Sequence, residues 1–102
     1  MKYQLVVQMP AASIKDYDAM IEIEDVLIAQ LSELHEIDGH DAGAGEVNIF
    51  ILTNDFEKAF DEVKVALESR GLWGDVRVAY REIDKSEYTI LWPKWLNDFS
   101  VA

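Results

Sequence analysis

Hydrophobic residues alternate along residues 2–9, with Tyr3, Leu5, Val7 and Met9 in one phase and Gln4, Val6 and Gln8 in the other. That period of two predicts a strand, read as central in its sheet with one wet or functional face. Pro10 ends it, since proline has no N–H to give to a ladder. The period then changes: Met20, Ile23, Leu27, Leu31 and Leu34 recur at spacings of three and four, widened by Ile21 and Ile28. This stripe predicts a helix to about residue 34, capped by Ser13 in a box with Asp16, or by Asp16 or Asp18 themselves. Glu22, Glu24 and Asp25 suit its opening turns, and His35 is placed at its end as a favourable charge against the helix dipole.

Two strand-like runs follow, a polar one over residues 36–41 and an apolar one over residues 47–52. Gly43-Ala44-Gly45 between them reads as a hairpin turn, with a bulge expected where Gly45 meets the second strand. The polar arm suits a sheet edge. Thr53, Asn54 and Asp55 offer N-caps to a second helix carrying Phe56, Phe60, Val63 and Leu67, with Arg70 in its last turn and Gly71 as its stop. Val76, Val78 and Tyr80 alternate with Arg77, Ala79 and Arg81 in a further strand, and residues 88–92 form a short one before Pro93. The aromatic stretch 93–102 is expected to dock on the domain or on a second copy.

The order strand, helix, strand, strand, helix, strand predicts a single α+β domain over residues 1–102, a ferredoxin-like βαββαβ sandwich with an extra C-terminal strand. Both helices would lie on one face of an antiparallel sheet, leaving the other face open. The expected helix-facing set is Tyr3, Leu5, Val7, Ile37, Val47, Ile49, Ile51, Val76, Val78 and Tyr80. Across the open face would run Arg77 and Arg81, then Gln4, Val6 and Gln8, then Glu46, Asn48, Phe50 and Leu52, and then Glu36, Asp38 and His40. A one-residue slip in any strand would exchange its faces.

Composition narrows the class. The 102 residues include no cysteine, which removes disulfides and thiolate metal sites and fits a reducing compartment. No apolar run approaches a membrane span and the first segment reads as a strand rather than a secretion signal, so a cytoplasmic location is expected. A formal net charge of −11 disfavours nucleic acid and would speed encounter with a basic protein partner.

The candidate ligand-binding residues are Asp38, His40, Glu46, Asn48, Gln4, Gln8, Arg77 and Arg81, because polar side chains gather there on strands where packing alone would favour apolar ones. Asp38, His40, Asp41 and Glu46 have the donor types of a metal or acid–base cluster but no established ligand spacing, so no metal or cofactor is assigned. Asn48 and Glu46 equally suit a hydrogen-bond ladder with Gln4 and Gln8. No serine has a nucleophile-elbow context. Trp92, Trp95 and Phe99 are the candidate interface.

The run Asp38-Gly39-His40-Asp41-Ala42-Gly43-Ala44-Gly45-Glu46, followed by Val47-Asn48-Ile49-Phe50, resembles a signature of small bacterial proteins of unassigned function. The resemblance implies a bacterial cytoplasmic protein of ferredoxin-like fold and carries no activity. The expected function is a binding or interaction domain that self-associates as a homodimer through the open sheet face or the aromatic tail. The alternatives are an acidic, immunity-like inhibitor of a basic protein and a small enzyme using the Asp38/His40/Glu46 region.

Overall fold

The computed structural model describes residues 1–11, 17–43 and 45–101. Its elements are β1 (Tyr3–Pro10), α1 (Tyr17–Gln30), β2 (His35–Gly43), β3 (Glu46–Thr53), α2 (Phe56–Glu68), β4 (Arg77–Glu82) and β5 (Thr89–Trp92). The sheet order is β2-β3-β1-β4-β5, with every neighbouring pair antiparallel. This is the ferredoxin-like sandwich, extended by β5 beyond β4.

One face of the sheet meets both helices. Leu5, Val7, Ile49, Ile51, Val76 and Val78 pack there against Ile23 and Leu27 of α1 and Ala59, Val63, Ala66 and Leu67 of α2. Aromatic rings fix α2 at two points. Phe56 stacks on Tyr80 at 3.8 Å with Tyr3 edge-on at 5.0 Å, while Phe60 meets Trp73, which in turn lies 5.6 Å from Trp92. Trp92 therefore belongs to the core layer, with the Lys64 ammonium 5.0 Å from its ring centre, rather than to an exposed interface.

α2 begins at Asp55, whose carboxylate accepts the Lys58 N–H at 3.0 Å. It closes at Gly71, where φ is 69° and the Leu72 and Gly71 amides return to the Leu67 and Glu68 carbonyls. The first helix is shorter than its apolar stripe implied. It stops at Gln30, and Leu34 stands half exposed in the following turn. The expected caps Ser13 and Asp16, the Asp18 side chain and Ala44 of the hairpin turn lie outside the described residues.

A bulge sets the second correction. Ile37 pairs with Ile51, but Gly39 pairs with Phe50, so one extra residue is inserted at Asp38. The expected bulge at Gly45 is thus displaced into the arm, while Gly45 itself occupies the turn at φ 77°. Beyond the bulge every β2 side chain changes face: His40 pairs with Ile49 and turns toward the helices, and Asp41 takes the opposite face beside Asn48. Gly39 permits this with φ 110°, a conformation that penalises a Cβ even though open space surrounds it. Gly39→Ala is expected to destabilise the fold by about 1–2 kcal/mol in urea titration, a cost arising from backbone conformation alone.

Candidate functional site

The centre of the sheet face away from the helices is closed. On β1, Leu5, Val6 and Val7 are 0% exposed and Gln8 is 2%, so the strand is buried on both sides. The consecutive run Leu5-Val6-Val7 carried that signal, since a strand buried on both faces loses its alternation. On this second face Val6 faces Phe50 and Ala79, and Gln8 faces Asn48, with Ala79 at 0% and Asn48 at 1% exposure.

The C-terminal segment lies against this face. After Trp92 the chain turns at residues 93–96, held by the Leu96 amide on the Pro93 carbonyl at 3.2 Å. The Gln8 side-chain amide then donates to the Ser100 carbonyl at 3.0 Å and to Asn48 Oδ1 at 2.9 Å. Phe99 meets Tyr88 edge-on at 5.3 Å. Phe99 and Val101 are half-buried and Ser100 between them is exposed, as an extended segment with one side down requires. The expectation of an open face is corrected at its centre, where the segment of the single chain seats on its own sheet.

The candidate polar residues separate rather than converge. Gln8 and Asn48 form the buried amide pair beneath the segment. Gln4 instead accepts from Arg81 Nε at 3.0 Å, and Arg81 Nη1 reaches the carbonyls of Ile83 and Lys85, both at 2.8 Å. That guanidinium holds together the turn between β4 and β5. Arg77 is exposed beside Gln8, and Glu46 sits half-buried opposite Gly43 and Pro10. His40, placed by the bulge on the helix side, pairs its Nδ1 with Glu24 of α1 at 2.9 Å. Asp38, His40 and Glu46 thus do not share a face, and among the described residues no group of three His, Asp or Glu side chains is arranged to hold a metal ion.

Sequence reasoning missed the densest network. His35 is the first residue of β2 rather than a helix-end charge, and its buried ring bridges β3 and α2. Its Nδ1 lies 2.7 Å from Thr53 Oγ1 and its Nε2 lies 3.1 Å from Glu62 Oε2. Glu62 also accepts the Ser32 N–H at 2.7 Å and the Ser32 hydroxyl at 3.2 Å. The carboxylate thereby catches the chain as it leaves α1, which explains why the helix ends before Leu34. Burial pushes the Glu62 carboxyl up, but the Ser32 N–H, His35 and the Ser32 hydroxyl together hold it below the usual carboxylate range. Nothing in the helical period of α2 distinguishes Glu62 from its other charged residues, so no local signal marks this role.

The order Thr53–His35–Glu62 resembles a nucleophile, a base and an orienting acid. Thr53 is nevertheless 0% exposed, and its hydroxyl also bonds the backbone of Asp55 at 2.9 and 3.1 Å. The hydroxyl is enclosed in this fold. The adjoining cleft of about 350 Å³, lined by Gln30, Lys58, Asp61, Glu62 and Val65, touches only the Glu62 end of the network. The network joins β2, β3, α2 and the α1–β2 turn.

Charge is divided across the molecule. No Lys or Arg stands between Lys15 and Lys58, and Glu22, Asp25, Glu33, Glu36, Asp38 and Asp41 are all exposed along α1, its following turn and edge strand β2. Trp95, in the turn before the docked segment, is 80% exposed. No helix among the described residues is long and apolar enough to cross a membrane. Comparison with protein-family models, curated proteins and solved structures finds no match.

Because the folded state lowers the Glu62 pKa, its stabilisation is complete above the unfolded carboxylate value and is lost as pH falls through the folded one. Glu62→Ala, which strands the Ser32 amide and His35, is expected to destabilise the neutral-pH protein by about 1–3 kcal/mol. The difference in denaturation midpoint between wild type and variant should shrink on acidification.

Proposed function

We propose that the chain is a small interaction domain that self-associates through its aromatic C-terminal segment. The observation that carries this reading is Trp95, an indole 80% exposed in a segment whose other apolar residues, Leu96, Phe99 and Val101, are half-buried. Tryptophan is the residue type most enriched among energetic anchors of protein interfaces, and a turn held on both sides presents it with little further ordering. An enzymatic reading has less support, since Asp38, His40 and Glu46 are dispersed and the Thr53 hydroxyl of the Thr53–His35–Glu62 network is enclosed. Sedimentation over a range of concentrations is expected to reveal reversible dimerisation. Trp95→Ala should weaken it about tenfold or more, with an unchanged circular dichroism spectrum. Equal affinity of the two proteins would reject Trp95 as the anchor.

The charge division supports a second reading, an acidic surface on α1 and β2 that docks a basic protein. A lysine-rich peptide is expected to bind in a salt-sensitive manner, and Glu36→Lys with Asp41→Lys should abolish that binding. Unaltered affinity of this double variant would exclude the surface.

A further inference from the structure

We propose that the dimer forms by reciprocal exchange, each copy laying its residues 99–101 on the sheet face of the other. This inference rests on the self-association argued above and specifies its geometry. At the far end of the segment the seating contacts are the Gln8 amide on the Ser100 carbonyl and Phe99 on Tyr88. Between these contacts and Trp92, the 93–96 turn carries a single backbone hydrogen bond, from Leu96 to Pro93. Seated residues and sheet are therefore joined by a short connection, residues 93–98, in which Lys94, Trp95, Asn97 and Asp98 are exposed.

Departure of the segment takes the Ser100 carbonyl from the Gln8 amide and the Phe99 ring from Tyr88, on the sheet face where Val6 and Ala79 are 0% exposed. Apolar surface and an amide aimed at a missing carbonyl favour re-covering by a chain with an aromatic residue followed by a free carbonyl. A second copy supplies that chemistry residue for residue, so exchange conserves every seating contact.

This connection supplies what the monomer lacks. Lys94 and Trp95 are exposed within it, and Trp95 has the greatest exposure among the large hydrophobic residues described. In a reciprocal exchange the two connections cross near the symmetry axis, where each indole gains a neighbour from the other chain. That contact, absent from the closed monomer, favours the dimer. Two bodies of charge −11 oppose it, so the dimer should gain from added salt.

The test is an equal mixture of isotope-labelled and unlabelled full-length protein, co-refolded and concentrated until light scattering reports dimer. Isotope-filtered NOEs between Tyr88 and Phe99 across labelled and unlabelled chains are expected. A dimer in which those rings touch only within one chain overturns exchange and leaves self-association standing. A monomer at every concentration and salt overturns both. Deleting Asn97 and Asp98 removes about 7 Å of reach and prevents the connection from turning back, which should drive the protein to dimer with the interchain contact retained. A folded monomer without the Tyr88–Phe99 contact would also reject exchange.

Discussion

A central strand with no wet face governs this molecule. β1 carries Leu5 and Val7 toward the helices and Val6 and Gln8 away from them, all essentially inaccessible. Full burial of an aliphatic side chain is worth about 1.5–3 kcal/mol, so a strand so composed requires cover on both sides. Two helices supply one cover. The C-terminal segment, which turns beside edge strand β5 and docks through Ser100 and Phe99, lies on the other. Gln8 is the polar counterpart of this requirement, since a buried amide needs both Asn48 and the Ser100 carbonyl.

The two histidines show how polar groups join elements that apolar packing leaves adjacent but unfixed. His35 connects the edge hairpin to α2 through Thr53 and Glu62, and His40 connects the same hairpin to α1 through Glu24. The bulge at Asp38 makes this division possible, because it allows β2 to send residues from both parities toward the helices. Chemistry that reads as one cluster along the chain is thereby distributed among separate structural contacts. Among the described residues, the acidic α1–β2 flank and the indole of Trp95 remain exposed.

Element order and the helix-facing residues of β1, β3 and β4 were legible because they depend on strict periodicity. The same periodicity misplaced His40, since a bulge leaves no regular mark in a polar strand and only Gly39, at φ 110°, hints at it. α1 was drawn too long because Leu31 and Leu34 continue its stripe, whereas a long-range partner, Glu62, ends it. The docked segment was half legible: its aromatic content pointed to packing, but the first strand was read with one wet face although its unbroken Leu5-Val6-Val7 run suits a strand covered twice. Joining those facts requires the antiparallel register, which places Val6 beside both Phe50 and Ala79.

Closure of the second sheet face is tested most directly by hydroxyl-radical footprinting of dilute full-length protein, read residue by residue by mass spectrometry. Slow modification of Phe50, Tyr88 and Phe99 with rapid modification of Trp95 is predicted, after correction for the intrinsic reactivity of each side chain. Comparable corrected rates at all four would mean that the segment leaves the sheet open in solution, contradicting the requirement for two covers on β1.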